Sequence, residues 1–270
     1  MTGYITLNYW DLVIASVFLL LNGAVSLGLH LGLERKLAIA AVRMVIQLVL
    51  VGLLLKTLFA LASPWITLLV ALFMLLFAGR EAWARQENRL RGWWGYGIGT
   101  SAMAFAGTTV ILVALLILVR PSPWWSPRYA LPLFGMILGN TMTGISLALD
   151  SLHRSILREQ RAIEAQLLLG ASKWQAARPF LHTALRSGFM PLINSMAATG
   201  VVSLPGMMTG QILSGVDPTE AVKYQILVML LLGGSTGMGV LLATLASFLR
   251  LTDERHRLRP ERLDRPKETA

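Results

Sequence analysis

Apolar residues run through this chain in long blocks, and short polar segments set where each block ends. The blocks fall at about 11–33, 37–60, 64–80, 97–119, 130–150, 189–214 and 221–249. A helix crosses about 30 Å of hydrocarbon with about 17–25 mainly apolar residues. The pattern therefore predicts an all-α, polytopic membrane helix bundle of about seven transmembrane helices. The breaks carry matching terminus signals. Glu34-Arg35-Lys36 separates the first two spans as a tight hairpin. Ser63 caps the third, with Pro64 at its first helical position. Asp217 caps the seventh, with Pro218 at N1 and Glu220 completing a capping box.

Charge orients the bundle. Of 24 basic residues, 19 fall in segments assigned to one side, four on the other, and Arg43 within a span. The positive-inside bias then places the N-terminus outside and the C-terminus in the cytoplasm. An odd number of spans requires the same opposition. Trp10, Trp65, Trp124 and Trp125 fall at the outer boundary and Trp83, Trp93 and Trp94 on the inner side. That is the distribution of interfacial aromatic belts. Met1 to Trp10 holds no Lys or Arg and so lacks the charged start of a signal peptide. The first block is read as a retained span. Residues 1–250 form one transmembrane domain with a cytoplasmic loop at 151–188. Residues 251–270 form a charged cytoplasmic tail, expected to be partly disordered. The expected location is a bacterial inner (plasma) membrane, crossed several times.

Composition agrees. The chain is 55% hydrophobic and 14% charged, where soluble domains carry about 25% charged residues. Mean hydropathy is +0.62 and the pI about 10.7. The basic excess marks the cytoplasmic face, so the expected partner is the lipid bilayer and not nucleic acid. With no cysteine, disulfides and thiolate metal sites are excluded. The sequence has no GxxxxGK[ST] or HExxH pattern, so no nucleotide site or zinc-protease site is read here. The chain is expected to hold no bound cofactor and to perform no enzyme's chemistry.

The span contents narrow the mechanism. Every acidic residue lies at a span end or in a loop, and of the histidines only His30 is read inside a span. A proton-driven carrier usually needs a buried acid or His relay, so an ion-coupled secondary carrier is a weaker alternative and the energy is expected from a partner. Gly95/Gly99, Gly135/Gly139, Gly206/Gly210 and Gly233/Gly237 carry the spacing of close helix packing in lipid. Arg43 and Gln47 lie one turn apart. Arg43 sits about 10 Å inside the boundary at about 1.5 Å per residue. It either snorkels to the inner interface or acts inside the bundle, paired with Asp150. Pro205 frees the Val201 carbonyl, giving either a plain kink or a broken helix that lines a substrate route. Gln47, Met136, Asn140, Asn194, Pro205, Met207 and Met208 are the candidate pathway residues. Adaptable packing and interhelical hydrogen bonding are the alternatives for them. No metal ligand set is assigned.

The loop 151–188 is the most informative segment. Ser151 to Leu169 is rich in helix formers. Gly170 stops that helix, and Ser172 caps a second one to about Ser187, which Pro179 bends or interrupts. Glu164-Ala165-Gln166-Leu167-Leu168-Leu169-Gly170-Ala171 resembles the start of the EAA loop of ABC permeases. That motif's later part is not matched, since Phe180, His182 and Thr183 stand there. A wider resemblance rests on Val42 to Leu48, Gly135 to Asn140, Leu167 to Ser172 and, above all, Val202-Ser203-Leu204-Pro205-Gly206-Met207-Met208-Thr209-Gly210. Asp217-Pro218 and Lys223-Tyr224-Gln225 continue it. The chain is similar to the FetB-type iron-export permease family, which includes plant aluminium-tolerance relatives. The resemblance implies a permease homodimer working with a separate cytoplasmic ABC ATPase subunit, which holds ATP and Mg. It implies ATPase coupling through Glu164, Ala165, Gly170, Ala171 and Ser172, and export of iron. An organic solute, such as a sugar conjugate or a lipid, is the alternative cargo.

Overall fold

A computed structural model of the chain describes residues 8–61, 63–253 and 257–264. The apolar blocks form helices because hydrocarbon offers no water to backbone N–H and C=O groups, and a helix satisfies them within its own segment. In order these are α1 (Tyr9–Gly28), α2 (Glu34–Leu61), α3 (Pro64–Ala84), α4 (Trp93–Val113), α5 (Pro127–Arg158), α6 (Gln160–Leu168), α7 (Lys173–Ala198), α8 (Gly206–Leu213) and α9 (Pro218–Leu251). α4 runs on through a π-helical stretch, Ala114–Val119. Six of these helices, α1 to α5 and α9, are long and apolar enough to cross a membrane. The protein is a polytopic helical membrane bundle.

The seventh expected span, 189–214, is not one helix. α7 ends at Ala198 and α8 begins at Gly206. Between them Gly200 takes φ +89°, and its N–H donates to the Ser203 carbonyl at 2.9 Å. The Ser203 N–H turns back to the Ala198 carbonyl at 3.1 Å. Pro205, with no N–H to donate, stands at the N-cap of α8. The chain is thus broken here, not kinked, and both pieces pack on α9.

Other boundaries also moved. α1 ends at Gly28 and the first hairpin turns over 29–33, ahead of Glu34-Arg35-Lys36. Ser26 holds that turn, accepting from the Leu33 N–H at 3.0 Å and donating to Glu34 Oε2 at 2.9 Å. His30 lies in the turn with φ 53°, outside the span in which it was expected. Pro179 does not end the second loop helix. α7 runs through both Pro179 and Pro191, held by buried Ala176, Ala177, Leu181 and Ala184. Asp217 caps α9 as expected, accepting from the Thr219 N–H at 2.8 Å. Hydrogen bonds from Thr219 hold its carboxyl below the usual carboxylate range. Glu220 pairs with Lys223 instead of completing a box. Ser63 occupies the N-cap of α3 without a side-chain bond.

The core is the crossing of α5, α7 and α9, with α3 and α4 packed around it. A Cβ on Gly144 would stand 2.9 Å from Val240 Cγ2 and 3.0 Å from the Gly188 carbonyl oxygen. A Cβ on Gly188 would stand 2.8 Å from Val240 Cγ1 and 2.9 Å from the Gly144 carbonyl oxygen. Of the expected glycine positions, Gly95 packs against Trp83 and the Leu90 carbonyl, Gly135 against Met74, and Gly233 and Gly237 against Met196 and Phe189. Gly139, Gly206 and Gly210 have nothing within 4 Å of a built Cβ, so they are not packing positions. The α1–α2 hairpin is peripheral: its apolar windows are 6% and 0% buried, against 56% for α5.

The basic segments meet at one end. The Glu87 N–H donates to Asp150, and Lys173 Nζ reaches the Asp253 carbonyl oxygen. By the positive-inside bias this end is cytoplasmic. His153 is buried there. Its Nδ1–H donates to the Asn88 carbonyl at 2.8 Å and its Nε2 accepts from Ser247 Oγ at 2.7 Å. The ring therefore ties the α3–α4 turn to α5 and α9. The charged tail returns to the same place over 257–264. β1 (Arg89–Leu90) pairs antiparallel with β2 (Leu263–Asp264), and the Leu263 side chain joins the core. The rest of the tail expected to be disordered, 254–256 and 265–270, lies outside the described residues.

Candidate functional site

The cytoplasmic elbow is built by two local motifs. α6 closes with the Gly170 N–H bonded to the Leu167 carbonyl at 3.1 Å and the Ala171 N–H to the Gln166 carbonyl at 3.0 Å. This is a Schellman closure, and it needs the left-handed φ of +91° that Gly170 supplies. One residue on, Ser172 starts α7 with a full capping box. It accepts from the Gln175 N–H at 3.3 Å and its own N–H donates to Gln175 Oε1 at 2.9 Å. Helix, closure and cap leave no slack between the two arms. Ile163 is buried and anchors α6. Glu164 accepts from Gln160 Nε2 at 2.8 Å. At the tip, Leu168 and Leu169 are 89% and 88% exposed. Two adjacent leucines held in water by a rigid turn form an apolar knob with nothing beneath it among the described residues.

The intramembrane candidates separate into groups. Met136 and Asn140 are half-buried on α5, and the Asn140 amide donates to the Met136 carbonyl on its own helix at 3.0 Å. Asn194 is exposed on α7. The Gly144–Gly188 crossing fixes the depth of both. Asn140 lies four residues and Asn194 six residues beyond it, or about 6 and 9 Å at 1.5 Å per residue. The two amides therefore share a level of the membrane. Pro205, Met207 and Met208 gather at the break, half-buried. Beside them Val201 and Val202 are 91% and 82% exposed. Gln47 is exposed on α2, in the peripheral hairpin, and no described contact brings it to the others.

Arg43 acts inside the bundle, and its partner is Glu81 on α3, not Asp150. Arg43 Nη2 donates to Glu81 Oε1 at 2.5 Å, and the guanidinium stands 5.2 Å from the Phe77 ring centroid. Asp150 is engaged elsewhere, with Arg154 and the Glu87 N–H. The Arg43–Glu81 pair is the main polar tie from the hairpin to the bundle. Removing one partner strands a charge near hydrocarbon, which costs about 3–5 kcal/mol for buried pairs and less at this partly exposed site. Glu81→Gln is expected to lower the thermal midpoint in detergent, and Arg43→Met/Glu81→Met to recover most of it. A double variant no more stable than Glu81→Gln would remove the pair's assigned role.

The comparisons with known proteins match this architecture from the first helix to the last. The profile of the uncharacterised protein family UPF0014 matches residues 9–251. The chain belongs to the UPF0014 family. Among UPF0014 relatives, the Synechocystis membrane protein slr1647 is 42% identical over 75% of this chain and 77% of its own length. The Escherichia coli "Probable iron export permease protein FetB" is 33% identical over 84% of this chain and 86% of its own. The Arabidopsis thaliana "Protein ALUMINUM SENSITIVE 3" is 33% identical over 85% and 82%. No solved structure matches the chain.

The UPF0014 region contains both the elbow and the break. It also contains polar groups that sequence reasoning passed over. The Gln211 and Gln225 side-chain carbonyl oxygens and the Thr236 and Thr244 hydroxyls are buried without a hydrogen-bond partner among the described residues. Three of these four are on α9, facing the bundle. Gln225 is only 6% exposed, and a lone glutamine in an apolar span was the signal that could have marked it.

Proposed function

We propose that this UPF0014 chain is the membrane-spanning half of an ATP-binding-cassette exporter, working as a homodimer with a separate ATPase and exporting iron. The observation that carries the reading is the elbow. A cytoplasmic apolar knob, rigidly capped on both sides and continuous with two spans, suits a groove on a soluble partner that moves. ATP and Mg would belong to that partner, and this chain would perform no hydrolysis. A second copy accounts for the break: irregular backbone at membrane depth is tolerated only against protein or a water-filled cavity. Asn140, Asn194 and the start of α8 would then face a shared route. The cargo is supported by the relative named "Probable iron export permease protein FetB".

A specific observation favours a second reading of the cargo. Among the described residues no group of three His, Cys, Asp or Glu could hold a metal ion. Hard iron prefers oxygen or imidazole ligands, whereas the thioethers of Met136, Met207 and Met208 suit an organic solute. Inside-out vesicles holding both subunits separate these cases. ATP-dependent uptake of labelled iron, absent without the ATPase, is the expected result. Uptake without ATP would point to a secondary carrier. ATPase stimulation by a sugar conjugate or lipid, with no iron uptake, would move the cargo to the organic class.

A further inference from the structure

We propose that the groove between α3 and α4 at the cytoplasmic boundary binds an anionic phospholipid of the inner leaflet. Phe73, Leu76, Phe77 and Arg80 of α3 form one wall, and Trp93 and Tyr96 of α4 the other. The groove is open along one side and has a volume of about 730 Å³. Its walls are ordered aromatic surface: the Phe73 and Phe77 rings stack with centroids 6.1 Å apart, and Trp93 meets Tyr96 edge-on at 6.5 Å. From Arg80 to Phe73 is about 10 Å along the helix at 1.5 Å per residue. That length suits the upper part of an acyl chain.

The charge balance at the mouth identifies the headgroup. Arg43 and Arg80 flank a single carboxylate, Glu81. Arg43 holds it at 2.5 Å, whereas Arg80 Nη1 stays at 3.8 Å with its side chain 65% exposed. Glu81 bonds Arg43 directly and pairs with Arg80 only at longer range, so two guanidiniums share one carboxylate and one net positive charge remains beside an apolar groove. A basic pocket between spans on the cytoplasmic side is the arrangement that captures anionic lipid headgroups. A lipid phosphate bound to Arg80 gains a charge-assisted hydrogen bond, and its chain covers the aromatic wall. Free phosphate would gain the first contact only. Trp93 is 85% exposed and lies at the mouth, the level that indoles prefer.

The test is native mass spectrometry of the full chain in detergent, with phosphatidylglycerol and phosphatidylcholine added in equal amounts. The wild-type chain is expected to retain phosphatidylglycerol at least fivefold over phosphatidylcholine. Arg80→Gln should fall to parity and Arg80→Lys should keep part of the preference. Arg91→Gln, whose residue pairs with Asp264 outside the groove, should keep it all. Parity in the wild-type chain, or an undiminished preference in Arg80→Gln, would overturn the site. So would displacement of the lipid by millimolar inorganic phosphate. A dimer whose stability depends on Arg80 would assign the groove to a second copy instead. Lipid binding is read directly, so the outcome is independent of whether the chain exports iron.

Discussion

Replacing Leu168 and Leu169 together by aspartate is expected to leave a correctly inserted, folded chain that no longer captures its ATPase. Both side chains are almost fully exposed, so nothing in this chain loses packing. The Schellman bonds and the Ser172 box are made by backbone, Gly170 and Gln175, and stay in place. In the proposed complex, what is lost is burial in the ATPase partner. A leucine fully buried from water contributes about 1.5–3 kcal/mol, so two of them contribute at least about 3 kcal/mol, and tenfold in affinity is about 1.4 kcal/mol. Co-purification with the ATPase should fall at least a hundredfold while the thermal midpoint of the isolated chain stays put. Gly170→Arg should act in the same direction but mixes two causes. It forces a non-glycine residue to φ +91°, at roughly 1–2 kcal/mol, and it puts a charge at the tip. Wild-type levels of co-purification by the double aspartate chain would show that the elbow is not the docking element.

What was legible in the sequence is what local chemistry decides. Gly170 and Ser172 mark the elbow because a left-handed C′ position and an N-cap each admit few residue types, and both stand where expected. The apolar blocks marked six continuous spans. Features that depend on partners distant in sequence were not legible. Arg43 bonds Glu81 across 38 residues, and nothing near either residue announces that choice over Asp150. Pro179 reads as a helix breaker, yet α7 continues because tertiary packing of its alanine face outweighs one lost backbone bond. Pro205 reads the same way and does break the helix, because Gly200 turns the chain five residues earlier and few core contacts oppose it. The tail reads as solvated charge. Its Leu263 found a place under the α3–α4 turn, which no composition argument reveals. In the candidate pathway, the amides of Asn140 and Asn194 reach one depth only through a glycine crossing that the four-residue spacing rule did not select.

That crossing gives the second large effect: Gly188→Ala is expected to destabilise the chain, while Gly234→Ala is expected to be neutral or stabilising. Both glycines lie in membrane helices of the same bundle. Exchange of glycine for alanine inside a helix gains about 1 kcal/mol from propensity alone. At Gly234 nothing lies within 4 Å of the new methyl, so this gain stands. At Gly188 the methyl would meet Val240 Cγ1 at 2.8 Å, Ala148 Cβ at 2.9 Å and the Gly144 carbonyl oxygen at 2.9 Å. The first is a side chain that can shift, but the last is backbone and cannot yield without separating α5 from α7. Overpacking of this kind costs about 1–3 kcal/mol, enough to exceed the propensity gain. Gly144→Ala faces the same contact from the other side, and the double variant should be non-additive because both methyls press on one crossing. Thermal unfolding in detergent, followed by helical circular dichroism, reads the order directly: Gly234→Ala at or above wild type, Gly188→Ala below it, and Gly188→Leu unable to fold. A Gly188→Ala chain as stable as Gly234→Ala would mean that α5 and α7 do not touch there. The two arms of the elbow lead into those two helices; in the proposed transporter, a push on the elbow would reach the break through this crossing.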